Sequence, residues 1–292
     1  MRRAWLIIFC LTACSSPPAP PPPPPPVAPS DADLLARRPY KEYVPASLPD
    51  AGVSLVVVLA GYGGSGENAA DRLLIRPVAD ANGAVVAMPN GTRDSQGYAA
   101  WHVGTDHYPF WDVEYLRAVI RDMEAKHNVD PKRVYVAGHS QGAHMAYRLA
   151  CDDSADVPAI MVLAGQSPTA RTGCAATLPV SVLHVHGTAD DDIGYYGDVQ
   201  KMPPDPHIPS AHDSVAAWAS FDGCTGGLTD GGVIADFDTS LPGPDTISES
   251  YSGCAQGTAV ELWTIVGGSH DPAINDTFPQ QVFAWWRAHA RQ

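Results

Sequence analysis

The chain has 292 residues, of which 45% are hydrophobic and 17% charged, and its formal net charge is −14 at neutral pH. This much apolar material can bury a sizeable core, and the composition is far from that of a disordered chain. The acidic balance argues against nucleic acid or an anionic membrane surface as the ligand, because both select for clustered lysine and arginine.

The N-terminal residues have the pattern of an export signal. A basic start, MRR, precedes an apolar run over residues 4–11 that is too short to span a bilayer as a mature helix. The letters that follow, LTAC, resemble a bacterial lipobox ending at Cys14. We therefore predict a signal peptide over residues 1–13 and acylation of Cys14, which would anchor the protein to a membrane without spanning it. The alternative is an ordinary signal peptide in which Cys14 is incidental.

A proline-rich stretch follows the predicted anchor. Nearly every residue from 15 to 30 is proline, alanine or serine, which is typical of an extended polyproline II stalk. We predict that residues 14–38 hold the lipid-anchor site and a semi-rigid tether. A proline-rich ligand for a partner domain is the competing interpretation, but no flanking basic residue supports it. Residues 39–292 show neither an internal repeat nor a second boundary, and we predict one domain there.

From about residue 40 onward, apolar runs alternate with segments of helical period. Six runs predict buried strands, at 53–60, 84–88, 133–137, 159–164, 180–185 and 260–266. Helices are predicted over 112–127, 141–150, 211–221 and 279–290, the first ending at Asn128 with Pro131 three residues further on. The alternation predicts an α/β fold with a mostly parallel central sheet and helices on both faces. The stretch 225–250, rich in Gly, Asp and Thr, is expected to be a long excursion.

Four cysteines lie beyond the predicted signal region and tether: Cys151, Cys174, Cys224 and Cys254. An even number in an exported chain indicates disulfides, and four cysteines allow three pairings. Short loops cost less entropy to close, which favours Cys151–Cys174 and Cys224–Cys254. No metal site is predicted, because no pair has the close C-x-x-C spacing usual for zinc.

A G-x-S-x-G pentapeptide, GHSQG, centres on Ser140. A strand pattern leads into it and a helix pattern leads out, so the serine is predicted to lie in a strained, exposed turn. Its hydroxyl would then stand at the carboxyl edge of the sheet and at the N-terminus of the next helix, where negative charge is stabilised. This context predicts that Ser140 is a catalytic nucleophile.

A serine nucleophile needs a base, and in this kind of fold the chain order is serine, acid, histidine. Asp190 follows a buried strand directly and is predicted to be the acid, with Asp191 and Asp192 as positional rivals. His270 lies in a Gly-rich loop after the last predicted strand and is predicted to be the base. His184 and His186 could mimic a metal pair, but no third ligand is evident, so we expect packing or loop positioning.

The glycine-rich letters AGYGGSG follow the first strong strand, starting at Ala60. Glycines let backbone N–H groups converge on a developing oxyanion, and we predict that Tyr62 and Gln141 donate the two N–H groups of an oxyanion hole. A phosphate-binding loop is the rival interpretation, but no G-K-[S/T] ends the segment.

Several motifs recur in order along the chain: MPNGTRD at 88–94, WDV at 111–113, VDPKRVY at 129–135, MAYRLAC at 145–151, HVHGTAD at 184–190 and YSGC at 251–254. From residue 53 onward the chain resembles the secreted esterases that include polyhydroxybutyrate depolymerases and bacterial feruloyl and acetylxylan esterases. The resemblance implies the α/β-hydrolase fold, a triad of Ser140, Asp190 and His270, and pairing of Cys254 with Cys224. One departure is Ala60-Gly61, where the family usually has His-Gly, which puts pocket shape near Tyr62 in doubt.

These observations predict an exported serine esterase, lipid-anchored or secreted, that needs neither metal nor cofactor. Its acyl donor is expected to be a polymeric or bulky ester, and Trp101, Tyr108, Phe110 and Trp111 are candidate pocket residues, although core packing explains them equally well. Two alternatives stay open: a peptidase on the same fold, and a catalytically silent binding lipoprotein. The sequence leaves the oligomeric state and the particular ester undetermined.

Overall fold

The computed structural model describes residues 26–104, 109–167, 176–199 and 207–289. The helices are α1 (Asp31–Arg37), α2 (Gly66–Arg72), α3 (Ile75–Asn82), α4 (Asp112–His127), α5 (Gln141–Asp152), α6 (Ala211–Phe221) and α7 (Thr277–Ala288). The strands are β1 (Lys41–Tyr43), β2 (Val53–Leu59), β3 (Ala84–Met88), β4 (Thr92–Arg93), β5 (Ala99–Ala100), β6 (Val129–His139), β7 (Ala159–Leu163), β8 (Ser181–Gly187), β9 (Asp198–Val199), β10 (His207–Ile208), β11 (Thr229–Ala235), β12 (Thr246–Tyr251) and β13 (Val260–Ile265).

Within the described residues, nine strands form one sheet in the order β1-β3-β2-β6-β7-β8-β13-β12-β11. The six central strands run parallel, and β1, β12 and β11 pair antiparallel at the two sides. The prediction of a mostly parallel sheet is confirmed. All six predicted strands are present, because continuous β-branched and aliphatic runs suit strands that are buried on both faces.

Alternate residues of each central strand contribute to two separate cores. Leu55, Val57 and Leu59 of β2 pack with α4, α5 and α6, whereas Val56 and Val58 pack on the other face with α2, α3 and α7. Helices therefore cover both faces, as predicted. Helix α4 ends where the sequence predicts, because Asn128 adopts a left-handed conformation with φ 51°.

The stretch 225–250 departs from the prediction of a long excursion. Strands β11 and β12 pair antiparallel there and extend the sheet beyond β13. The apolar signal is weak because β11 is the exposed edge strand, with glycines and two register irregularities. A disulfide between Cys224 and Cys254 joins the end of α6 to the turn after β12.

Several predicted features fall outside the described residues: the signal peptide, Cys14, Tyr108 and Cys174, and with Cys174 the predicted pair that includes Cys151. These stay predictions. None of the helices in the described ranges is long and apolar enough to cross a membrane.

Candidate active site

Ser140 occupies the turn between β6 and α5. Its backbone has φ 55° and ψ −122°, a combination that costs a non-glycine residue free energy and is held here by close backbone packing. A Cβ on Gly138 would lie 2.3 Å from the Gly142 carbonyl oxygen, and a Cβ on Gly142 would lie 2.1 Å from the Leu59 carbonyl oxygen. Only glycine fits at these two positions, so the flanking glycines of the pentapeptide are what allow the sharp turn.

Asp190 lies in the turn directly after β8, and its side chain is fully buried. One carboxylate oxygen accepts hydrogen bonds from the backbone N–H groups of Asp192 and Ile193 at 3.0 and 2.8 Å. Burial disfavours the charged form of Asp190, but hydrogen bonds from His186, His270 and the Ile193 backbone outweigh burial and hold the pKa of the carboxyl well below its usual range. The group is therefore an ionised acceptor at neutral pH.

His270 lies in the loop after β13, and its Nδ1 is 2.9 Å from Oδ2 of Asp190. Burial of the ring favours its neutral form, but the hydrogen bond and charge of Asp190, together with Asp271 and Asp192, outweigh it and raise the pKa of His270. Because the carboxylate can only accept, Nδ1 carries the proton and Nε2 is left free to act as a base.

His139, the residue before Ser140, holds the loop that carries His270. Its Nε2 lies 3.0 Å from the His270 carbonyl oxygen and 3.2 Å from a carboxylate oxygen of Asp271. Asp271 also pairs with Arg72 of α2 at 2.5 Å. The sequence gives no indication of this contact, since 131 residues separate His139 from His270.

Ser140 and His270 line one open cavity of about 710 Å³ at the carboxyl edge of the sheet, together with residues of the glycine-rich loop. Among the described residues, no hydrogen bond joins the Ser140 hydroxyl to the His270 ring. Such contacts are often long without substrate and tighten only when it binds. Ser140 and His270 thus line the same cavity, and Asp190 is buried behind His270 in a pair that is already formed.

The glycine-rich loop passes directly over the serine, since a Cβ on Gly61 would lie 3.0 Å from the Ser140 Cβ. Gln141 begins α5, where backbone N–H groups lack partners within the helix. Its side-chain oxygen accepts the Trp101 backbone N–H at 2.9 Å. Tyr62 is half exposed at the cavity rim, and its hydroxyl donates to Asp94 at 2.5 Å. Tyr62 therefore lines the same cavity as Ser140, and Gln141 directly follows Ser140; their role as oxyanion donors stays a prediction.

The predicted pocket residues have different positions. Trp101 is buried, and its ring N–H donates to the Ala60 carbonyl oxygen at 3.0 Å. Trp111 precedes α4 in a left-handed conformation, and Phe110 is exposed and stacks on His102. The residues that line the 710 Å³ cavity include none of these three, and their substrate contacts stay predictions.

His184 and His186 lie on β8, behind the acid. Within the described residues, no group of three or more His, Cys, Asp or Glu side chains is arranged to hold a metal ion. His186 Nε2 lies 3.0 Å from the same Asp190 oxygen that contacts His270. The hydroxyl of Tyr147, on α5, lies within hydrogen-bond distance of His184 Nδ1. The sequence predicts packing or loop positioning for the two histidines, but its pattern gives no sign of the contact with Tyr147.

No family model matches the chain. It is similar to feruloyl esterase B of Piromyces equi, with 30% identity over 195 residues, covering 65% of this chain and 34% of that protein. It is also similar to the putative esterase NocK of Nocardia uniformis, with 30% identity over 236 residues, covering 77% of this chain and 66% of that protein. The chain thus spans about a third of the first relative and about two thirds of the second.

Solved structures agree on the architecture. Acetyl xylan esterase from Aspergillus awamori superposes with a TM-score of 0.57 at 14% identity, covering 85% of this chain and 93% of its own. The poly(3-hydroxybutyrate) depolymerase LpqC from Bordetella parapertussis gives a TM-score of 0.51 at 19% identity, and the match covers 90% of this chain and 88% of LpqC. These likenesses define the α/β-hydrolase fold. With the sequence relatives, they establish that the chain belongs to the esterase family of the α/β-hydrolase type.

Proposed function

We propose that this protein is an exported serine esterase that hydrolyses carboxylic esters on a polymeric or bulky substrate, through an acyl-enzyme on Ser140. The observation that carries the proposal is the convergence of Ser140 and the 2.9 Å His270–Asp190 pair on one cavity beside the glycine-rich loop. Membership in an esterase family supports the same reaction class.

The mechanism uses two acyl-transfer steps. His270 Nε2 takes the Ser140 proton as the hydroxyl oxygen attacks the ester carbonyl, and Asp190 orients the imidazole and stabilises its charged form. The Tyr62 and Gln141 backbone N–H groups hold the oxyanion. The alcohol leaves with the proton from His270, and water then attacks the acyl-enzyme with the same residue as base. The Ser140 oxygen then leaves the acyl group and takes its proton back from His270.

The substrate class and the location of the enzyme also form part of the proposal. Relatives are named for feruloyl and acetylxylan esters, and one structural neighbour is named for poly(3-hydroxybutyrate). The cavity has a volume of about 710 Å³, and a second cleft of about 320 Å³ shares Gly64 and Ser65 with it, which supports a bulky ester as substrate. Export by the N-terminal signal, with a lipid anchor at Cys14, would place the enzyme where such material occurs.

A fluorophosphonate probe, which reacts with activated serines, tests the nucleophile. We expect labelling of the parent and none of Ser140→Ala, which removes only the hydroxyl. Hydrolysis of p-nitrophenyl esters, methyl ferulate, acetylated xylan and polyhydroxybutyrate would then rank the substrates. An unlabelled parent that is inert on this panel would refute the catalytic proposal, and labelling without ester turnover would favour a peptidase.

A further inference from the structure

Four buried side chains form a continuous line of hydrogen bonds that ends on the acid of the candidate triad. The Tyr147 hydroxyl lies 2.7 Å from His184 Nδ1, and His184 Nε2 lies 3.1 Å from His186 Nδ1. His186 Nε2 then lies 3.0 Å from Oδ2 of Asp190. Tyr147 comes from α5 and the two histidines from β8, so the line joins the helix after Ser140 to the turn that holds Asp190.

The partners fix the position of every proton in this line. His186 Nε2 faces two groups that can only accept, the Asp190 carboxylate and the Ile193 carbonyl oxygen at 2.8 Å, so it must carry the proton. In a neutral ring His186 Nδ1 is then an acceptor, which requires a proton on His184 Nε2. His184 Nδ1 is in turn an acceptor, and the Tyr147 hydroxyl donates to it.

We propose that Tyr147, His184 and His186 are positioning residues that present a neutral, proton-ordered row of donors to Asp190 and thereby fix its carboxylate for His270. The inference rests on the proposed function, in which Asp190 orients the base. Oδ2 of Asp190 accepts from both imidazoles, at 3.0 Å from His186 and 2.9 Å from His270.

Tyr147, His184 and His186 suit a position behind the acid because all three are neutral. A lysine or arginine beside Asp190 would offset the negative charge of the carboxylate, so that the carboxylate would stabilise an imidazolium at His270 less. Neutral imidazole donors hold the carboxylate in place and leave its charge intact. Burial lowers the pKa of His184 far below its usual range and raises that of Tyr147, so both keep these protonation states at neutral pH.

The opposite proton order leaves a buried group unsatisfied. If His186 were charged, its Nδ1–H would donate to His184, and His184 Nδ1–H would donate to the Tyr147 oxygen. The Tyr147 hydroxyl proton would then have no acceptor among the described residues. An unpaired buried donor costs about 1–3 kcal/mol. The neutral order satisfies every nitrogen and oxygen in the line.

Other titratable groups also face this network, and they stay unchanged in the variants proposed below. They are Arg72 on α2, His139 on β6, His144 on α5, Asp192 and Tyr195 in the loop after β8, His212 on α6, and Asp271 beside the base. Because their charges are common to all variants, differences in the His270 titration report on the row itself.

Nuclear magnetic resonance of the full chain with ¹⁵N-labelled histidine tests the proton order without any need for turnover. We expect the rings of His184 and His186 to be neutral Nε2–H tautomers at pH 7, and His270 to be the Nδ1–H tautomer once the pH is above its raised pKa. A protonated His186, or an Nδ1–H form of either ring in the row, would overturn the proposal. An inert ester panel with the expected tautomers would refute only the proposed function.

Two substitutions at His186 separate positioning from packing. His186→Leu removes the donor to Asp190, so the carboxylate is no longer fixed and the pKa of the His270 ring should differ from its value in the parent. His186→Gln keeps an N–H donor at nearly the same distance and should restore the parent titration. Equal titration of His270 in both variants and the parent would refute the positioning role.

A third variant keeps the test decisive if His186→Leu does not fold. Tyr147→Phe removes only the terminal hydroxyl, so His184 Nδ1 loses its donor, and we expect a changed ¹⁵N shift at that nitrogen. If catalysis is measurable, a misplaced carboxylate should lower kcat by roughly 10- to 100-fold in His186→Leu with KM nearly unchanged. An unchanged ¹⁵N shift of His184 in Tyr147→Phe would contradict the assigned donor.

Discussion

Gly187 ends strand β8 directly against the loop that carries His270, and its substitution by alanine tests how tightly that loop is held. A Cβ at this position would lie 2.1 Å from the Gly268 carbonyl oxygen and 2.8 Å from the Ser269 carbonyl oxygen. Both contacts are with backbone, so no side-chain rotation can relieve them. The loop of residues 267–271 must move away from the strand.

The size of the displacement follows from these distances. Real Cβ atoms essentially never approach a heavy atom within 3.0 Å, so Gly268 must shift by about 1 Å. Overpacking of this kind costs about 1–3 kcal/mol of folding stability. The same shift passes to His270 two residues on, and a displacement of about 1 Å in a catalytic group can lower the rate by about 100-fold. We therefore expect a large loss of kcat/KM with only a modest loss of folding stability.

The assay is kcat/KM on a p-nitrophenyl ester, with thermal unfolding followed by circular dichroism on the same samples. Gly227→Ala is the matched control, since a Cβ there meets nothing within 4 Å and its backbone needs no left-handed conformation. We expect the control to keep both values. A Gly187→Ala protein with kcat/KM within threefold of the parent would show that the loop position does not set the rate.

Three further substitutions test the acid, a buried ion pair and the support of the glycine-rich loop. Because Asp190 helps to raise the pKa of His270 above its usual value near 6.5, activity should fall as the pH drops through that raised value. In pH–rate profiles, Asp190→Asn should move this fall to lower pH and reduce kcat/KM by on the order of 10⁴-fold. Asp112→Ala should lower the free energy of unfolding by about 3–5 kcal/mol in denaturant titrations, because it leaves the Arg38 guanidinium, 2.5 Å away, without its buried partner. Trp101→Phe removes a buried donor to a backbone carbonyl and should cost about 1–3 kcal/mol by the same measurement, with reduced fluorophosphonate labelling.

The sequence predicts the central sheet well because its strands carry their own signal. A run such as 53–59 is apolar on both faces, and that pattern is strong enough to be read without knowing the neighbours. Strands β11 and β12 lack such a run, since their pairing is stabilised by strand β13 and by the Cys224–Cys254 disulfide rather than by local composition. Tertiary contacts decide structure there, and local patterns do not show them.

In the candidate site, too, the sequence predicts some residues and misses others. Ser140, Asp190 and His270 each follow a strand or begin a helix, and parallel strands bring their carboxyl ends to one edge, so chain order predicts their approach. The contacts behind them leave no comparable signal. Tyr147 lies 37 residues from His184, and His139 lies 131 residues from His270. Hydrogen bonds between residues this far apart in sequence follow from the packing of α5 and the His270 loop onto the sheet, and local sequence patterns do not encode that packing.

The position of Trp101 gives a physical account of the departure at Ala60. The resemblance to known esterases leads one to expect histidine there, a side chain that could hold the glycine-rich loop by packing or hydrogen bonds. In this protein the loop is held by a backbone atom of its own: the Ala60 carbonyl accepts from the Trp101 ring N–H, and Trp101 is in turn fixed by its backbone N–H, which donates to the Gln141 side chain. Gly64 N–H closes a turn onto the Gly61 carbonyl oxygen at 3.0 Å. Because none of these bonds needs a side chain at position 60, the loop can keep its place over Ser140 with alanine there.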